Sequence, residues 1–600
     1  TSDASLEFFN SDGSSSGACG NGTRCVADLL SKENNKKEII LTTLSGNLKS
    51  KILADKLVLT EIGIGKMKWN EIPLSKDLDT KRLNIKIIDS NNSEHVGGTA
   101  VNVGNPHVIF FVDDNENFEI EKIGPEIEHH KFFPEKCNVT LATIINKELI
   151  KVKVWERGAG LTKACGTAAC ATAFAAKQNG LTNDKVDVEF KVKEQASGSF
   201  TAGIGYGDNT KLSLNAGIQQ DNFLGTGKRI GLNVSTVSYQ QSIQLNYTDP
   251  YFTIDGISLG GNIGYSKFDG GDFGVVQYDS KRYQIGANIG YPINEVNRIS
   301  FGLTYANVEL SSDNTSYEQT SRFYDQFRSL DNPDSSIKYE SFLASTSWTR
   351  STLNRGLFPT DGSSQRASFS ITTPNSDVNY FKMIADTKWY FPLSQNQRWS
   401  VLARMRLGYG NGYGSKNGSE QILPFTENFT AGGADTLRGF EDNTVGPRGV
   451  QRIASQIGTT PFGTPIFGSP DTDRVGVSPR SLGGNAMAIG GLELIVPTPF
   501  VESEFDSSVR TSVFVDVGNV WDTEFDYDEY KDLTFVGRTG QGQPSALGDY
   551  SDWSQFRTSA GVSVQWISPM GPLVFSFSRE INSRDGDNPK FFTFNIGSTF

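Results

Sequence analysis

Beyond residue 170 the chain has no cysteine, and beyond residue 130 no histidine. All five cysteines (Cys19, Cys25, Cys137, Cys165, Cys170) and all four histidines (His95, His107, His129, His130) fall in the first third. The rest of the chain therefore has no disulfide framework, no thiol nucleophile and no His/Cys metal site. Within the first third the Cys and His spacings match no zinc-ligand pattern, so no metal is expected there either. Arginine is scarce where lysine is plentiful: residues 1–195 hold 22 Lys and 3 Arg, whereas 196–600 hold 10 Lys and 21 Arg. Folding does not require such a switch, because exposed Lys and Arg are largely equivalent on a plain surface. It reads as two sequences of different origin meeting near 185–200, KVDVEFKVKEQASGSF. No run approaches the ~18 apolar residues of a membrane helix. A net charge of −12 with no basic stripe argues against nucleic acid as a partner. The opening TSDASLEFFNSDG has neither a basic start nor an apolar core, so no signal peptide is expected in it. What is plentiful is glycine (62), phenylalanine (39) and tyrosine (19), a composition that favours β structure.

Residues 1–193 read as α/β. Strand-like runs at 38–42, 56–59, 84–88, 108–112 and 152–155 alternate with loops, and helices are expected at 22–30 and 167–178. Each helix follows a similar signature, CGNGTRC at 19–25 and CGTAAC at 165–170, an internal repeat in which each copy offers one thiol. A Cys-Gly at a helix start sits where free N–H groups and the helix dipole favour negative charge. The expectation is a lowered thiol pKa and a cradle for a substrate carboxylate. Two such thiols facing one carbon suit proton removal on one face and delivery on the other. Cys25, Cys137 and Cys170 read as buried apolar residues, and His129 and His130 as part of a solvated loop. A Cys19–Cys165 disulfide on oxidation stays open, although so lysine-rich a segment reads as cytoplasmic.

FFNSDGSSSGACGNGTRC (8–25), VNVGNPHVIF (101–110) and WERGAGLTKACGTAAC (155–170) resemble the diaminopimelate epimerases, in order and at family-like separations. The resemblance implies a two-lobed fold that interconverts LL- and meso-diaminopimelate without pyridoxal phosphate or any other cofactor. It implies Cys19 and Cys165 as the acid and base pair. Asn10, Asn105, Asn138, Glu156 and Arg157 would bind the substrate's amino and carboxyl groups, and the backbone around Gly20, Asn21, Gly166 and Thr167 the reacting carboxylate. His107 and Glu156 would position the thiols. The family's opening segment and closing strands have no counterpart in 1–193, so the module reads as incomplete, with sheet partners lost around Cys19 and weak or no turnover.

From residue 198 onward, ten-residue stretches alternate polar and apolar residues between turn residues: 211–220, 229–238, 282–291, 299–308, 510–519 and 557–566. Period two suits strands between lipid and a polar lumen. The 403 residues of 198–600 accommodate sixteen antiparallel transmembrane strands, the alternative being a soluble β-sandwich. The terminal FFTFNIGSTF, with Phe592, Phe594, Ile596 and Phe600, is similar to the signal by which outer-membrane barrels are recognised for insertion.

NFTAGGADTLRGFEDNTVGPR (428–448), GGNAMAIGGLELIVPTPF (483–500), SVFVDVGNVWDT (512–523) and SPMGPLVFSFS (568–578) resemble the barrel of the BamA family, the central subunit of the outer-membrane β-barrel assembly machinery. The resemblance covers 194–600. It implies an outer-membrane barrel that inserts nascent outer-membrane proteins by opening between its first and last strands and templating a client edge. Its partners would be outer-membrane lipid, client proteins and the assembly machinery's lipoproteins. Arg438 of the LRGF stretch, with Gly439 and Phe440, would fold into the lumen and pair with Asp516 and Glu493. A passive porin or secretion pore is disfavoured by that stretch. The whole reads as a fusion of an incomplete epimerase-like module (1–193) and a BamA-type barrel (194–600), with a working epimerase carrying an accidental barrel as the alternative.

Overall fold

The computed structural model describes the chain except residues 1, 10–14, 17–18, 45, 54–56, 192–195, 208–209, 312–316, 328–335, 417, 460–464, 500, 502–507, 531–532, 536–547, 549, 569–570 and 597–600. Two compact units are present, Thr1–Gln195 and Ala196–Phe600.

The first unit is α/β and two-lobed. In the first lobe the strands Ala4–Ser5, Glu38–Thr43, Gly46–Ile52 and Val58–Thr60 form one sheet, covered by the helix Gly20–Asn34. Its buried apolar core is small among the described residues: Ala27, Ile39, Leu41 and Leu48, flanked by half-buried neighbours such as Val26 and Leu30. Leu44, Leu57, Leu59 and Ile64 remain exposed. The second lobe is built on the strands Thr99–Asn102, Pro106–Phe111, Asn138–Asn146 and Leu149–Glu156, edged by Gly160–Thr162 and Asp187–Phe190. Here both sheet faces are covered. The alanines 168, 171, 175 and 176 let the helix Gly166–Gln178 lie close on one face. The helix Ile120–Glu128 packs on the other, its Gly124 so near Trp155 that a Cβ would approach the ring to 2.4 Å.

Cys137 is buried as expected, but Cys25 and Cys170 are exposed. The reason is helical phase. Gly20, Thr23 and Ala27 make the buried face of the first helix, and Cys25 falls off it. Cys170 likewise lies off the face made by Thr167, Ala168, Ala171 and Ala175. The strand expected at 56–59 is found at Val58–Thr60.

In the second unit, sixteen strands among the described residues close into an antiparallel barrel, from Gly198–Gly207 to Phe592–Ile596. The alternation read in the sequence is the wall itself. On Val509–Trp521, Val513, Val515 and Val517 are exposed outward, while Ser512, Phe514 and Asp516 are buried inward. Rows of exposed Ile, Leu, Phe and Val would be a liability in water and suit hydrocarbon. The first strand pairs with the second from Gly198↔Gln220 to Gly207↔Lys211, and the described part of the last strand closes the ring on it at Tyr206↔Ile596 and Gly207↔Asn595. The segment between Ser400–Gly412 and Ala486–Val496 turns back inside at Arg438 and carries the strands Arg448–Thr459 and Pro465–Ser481, to which Thr534–Phe535, from the connection after Val509–Trp521, adds a third.

Candidate functional sites: a thiol cleft and an arginine lock

Both Cys-Gly signatures begin helices, and the two helices meet at their first residues. Cys19 is the N-cap of Gly20–Asn34, its Sγ accepting from Gly22 N at 3.4 Å. Cys165 is the N-cap of Gly166–Gln178. A Cβ on Gly20 would stand 3.4 Å from the Cα of Gly166, so the two N-termini touch backbone to backbone. A cavity of about 140 Å³ opens between them. Both cysteines line it, with Gly20, Asn21, Gly166 and Thr167 from the helix starts and Asn105, Asn138, Glu156 and Arg157 from the second lobe's sheet. Asn10 lies outside the described residues. Two positive helix ends and one arginine around a small polar space favour a carboxylate.

Sheet register delivers the second lobe's contribution. Parallel pairing sets His107 beside Asn138, and the antiparallel partner of Val139 is Trp155, next to Glu156 and Arg157. Arg157 N donates to Asn138 Oδ1 at 2.8 Å and its Nη1 to the Glu135 carbonyl at 2.7 Å. His107 Nε2 lies 2.8 Å from Asn105 Oδ1 and 3.3 Å from Asn138 Nδ2, so its ring contacts run to the two asparagines. Complete burial, aided by the charge of Arg157, pulls the His107 pKa down to about 3 and keeps the ring neutral.

The thiols differ. Cys19 is half-buried, whereas Cys165 is 5% exposed and has Thr167 Oγ1 at 3.3 Å. Burial, and then the nearby Glu156 carboxylate, push the Cys165 thiol up to about 12. The lowering expected from its helix start is overturned, because desolvation of a thiolate outweighs the field of one helix end. All five cysteines are free thiols.

Sequence reasoning missed Glu128. It is buried, accepts from Trp155 Nε1 at 2.9 Å and Gly158 N at 3.2 Å, and so braces the Glu156–Gly160 turn from behind. Nothing in IEKIGPEIEHH separates it from surface glutamates. Phe8 and Phe9 also line the cavity and belong to a motif already noted.

In the barrel, Arg438 is 3% exposed and faces Asp516, which is fully buried. Its Nε and Nη2 reach the two Asp516 oxygens at 2.7 and 2.9 Å, and Nη2 also reaches Glu493 Oε1 at 2.8 Å. The guanidinium lies 3.4 Å over the Phe514 ring. Gly439 has φ +89°, and a Cβ there would meet Ser559 at 2.9 Å, which is why glycine follows the arginine. Phe440 is buried and bridges to Pro589, in the turn leading to the last strand. Ser559 donates to the Arg438 carbonyl, and Ser512 to Glu493 at 3.0 Å. Arg404, absent from the sequence reading, adds a second cation to Asp516 at 2.9 Å and donates to the Thr436 carbonyl. No motif flags it, because it lies on a plain wall strand.

Residues 222–600 match the Omp85 superfamily domain, and residues 1–69 and 99–195 match the diaminopimelate epimerase family. The diaminopimelate epimerase of Pelagibacter ubique (strain HTCC1062) is 72% identical over 188 residues, 31% of this chain and 69% of that protein. The outer membrane protein assembly factor BamA of Neisseria meningitidis serogroup B is 30% identical over 422 residues, 70% of this chain. The chain spans 49% of that relative's length. The crystal structure of BamA from Haemophilus ducreyi lacking POTRA domains 1–3 superposes with a TM-score of 0.59 at 30% identity, covering 90% of each chain. The chain is a two-part chimera: through its barrel it belongs to the Omp85 superfamily, and through its first 195 residues to the diaminopimelate epimerase family.

Proposed function

We propose that residues 194–600 insert outer-membrane proteins, opening between the first and last strands to template a client edge. The observation that carries this reading is how the ring closes: its first and last strands meet at Tyr206↔Ile596 and Gly207↔Asn595 with no connecting segment between them, while an Arg438–Asp516–Glu493 cluster fixes the inner segment. Strands joined by pairing alone can part and offer backbone donors and acceptors to an incoming strand. The partners are outer-membrane lipid, client barrels and the machinery's lipoproteins. The test is reconstitution of the full chain, with its five cysteines changed to serine, in lipid vesicles. Client folding should accelerate over empty vesicles and stop when a Tyr206→Cys/Ile596→Cys pair is oxidised across the seam, then recover on reduction. Acceleration that survives oxidation refutes lateral opening.

A second reading concerns residues 1–193, and the assembled cleft favours it. There Cys165, holding its proton, is the acid to a Cys19 base in one direction, with roles exchanged in the other. Gly20, Asn21, Gly166 and Thr167 hold the reacting carboxylate of diaminopimelate. Asn10, Asn105, Asn138, Glu156 and Arg157 bind its polar groups, and Glu156 and His107 position the thiol and the asparagines. No cofactor or metal is needed, and the chemistry belongs to the cytoplasm. With so slight a core behind Cys19, turnover should fall about 100-fold below that of the Pelagibacter relative, the cost of misplacing one group by ~1 Å. Deuterium uptake at the α-carbon of diaminopimelate measures it, and turnover equal to the relative's refutes the deficit.

A further inference from the structure

We propose that the barrel lumen binds a phosphate group, in a cavity of about 450 Å³ beside the LRGF stretch. Six cations line it, Arg366, Lys388, Arg404, Arg406, Arg438 and Arg510, against three carboxylates, Asp386, Asp435 and Glu493. Asp516, behind Arg404 and Arg438, makes a fourth. The excess is two positive charges: Arg366, Lys388 and Arg510 stand outside any ion pair among the described residues, against one such carboxylate, Asp435. Arg406 is paired with Asp386, and Arg404 and Arg438 share Asp516 and Glu493. Arg510 donates to the Pro359 carbonyl and lies over Phe358 and Tyr390, with no carboxylate partner among the described residues. Arg366 and Lys388 make no hydrogen bond or ion pair with any described residue.

These free cations are neighbours by register. Lys388 stands directly across from Arg404, and Arg366 directly across from Asp386, one step along the same face. Like charges directly opposite on one face of a sheet are destabilising unless something negative lies between them. Arg404 Nε is in addition buried with no hydrogen-bond partner. The cluster thus offers two uncompensated charges and a spare donor. A phosphate group, with a charge of about −1.5 to −2 and three strong acceptor oxygens, matches both. It could come from a free phosphate or from a phospholipid headgroup.

The experiment uses the full chain folded in detergent micelles, with two arms read by calorimetry. One titrates inorganic phosphate and the other short-chain phosphatidic acid. Saturable binding in at least one arm, weakened about tenfold or more in the Arg366→Gln/Lys388→Gln variant, is the expected result, since the variant removes two charge-assisted donors. The responding arm identifies the source. Binding that never saturates, or is equal in the variant, overturns the site. Should the double variant fail to fold, Lys388→Gln alone carries the test. The ligand should raise the thermal midpoint of the unaltered chain and not that of this variant, because it binds the folded state only. Equal rises, or none in either protein, reject the proposal.

Discussion

Arg438 has its partners within the protein, with Asp516 and Glu493 on two guanidinium nitrogens, Phe514 beneath and the Ser559 hydroxyl on its carbonyl. Around Cys19 and Cys165 about 140 Å³ is left open, bordered by helix starts, two asparagines and an arginine. Both places take ionisable groups out of water, yet only Arg438 is answered by carboxylates from within the protein. The thiol cleft instead leaves polar groups bordering open space, where a ligand could meet them. Compensation thus separates a holding site from a handling site more clearly than burial does.

The harshest way to break the contrast is Arg438→Ala. It leaves Asp516 and Glu493 buried with Arg404 as the one remaining cation on Asp516. Removing one partner of a buried pair costs about 3–5 kcal/mol, so the heat-modifiable mobility of the folded barrel should be lost at lower temperature and client insertion should fail. Arg438→Lys should not rescue it, because a point charge cannot span two carboxylates. Unchanged mobility and insertion would mean that the arginine lock holds nothing.

Site-resolved alkylation sharpens the cleft's side. With its pKa near 12, Cys165 should react at pH 8 on the order of a thousandfold more slowly than a free cysteine. The raised folded-state value also sets a sign. Below the unfolded pKa of ~8.5 the protonated thiol contributes its full stability, and that contribution is lost as pH rises towards 12. Fast alkylation of Cys165 would show an ionised thiol and remove the assigned acid.

His107 has the opposite sign. Its folded pKa of about 3 lies below the unfolded ~6.5, so its stability is present above 6.5 and is lost as pH falls towards 3. Hydrogen exchange of peptides spanning 100–160 in the full chain should accelerate over that window, and His107→Gln should flatten the response. A smaller effect is expected of Glu128→Ala, which strips acceptors from Trp155 and Gly158 at a cost of about 1–3 kcal/mol. The same exchange measurement, read at 155–160, should show the turn loosened while the Asn138–Asn146 strand stays protected.

What could be read in advance follows from the range of the interaction. The helix starts at Cys19 and Cys165 are local chemistry, and the Cys-Gly repeat announces them. The barrel strands are a period-two pattern, legible residue by residue at 211–220, and LRGF with its two acidic partners comes with a long motif. Arg404 and Glu128 gain meaning only when a distant segment arrives: Thr436 for one, Trp155 and Gly158 for the other. The direction of the Cys165 pKa was misread for the same reason. A dipole can be inferred from a helix start, but the water removed by the rest of the fold cannot. Cys25 and Cys170 turned on helical phase, which composition alone does not fix.

The closure of the ring between its first and last strands, at Tyr206↔Ile596 and Gly207↔Asn595, has a mechanical corollary, because these two neighbours are held by pairing and by no connecting segment. A belt under tension fails at its buckle, so heat or a pulling force along the wall should reach this join first and leave all sixteen strands laced together by the other fifteen ladders. The protein would then come apart as a ribbon with two free ends, and it should re-form by the same route in reverse, its buckle fastened last.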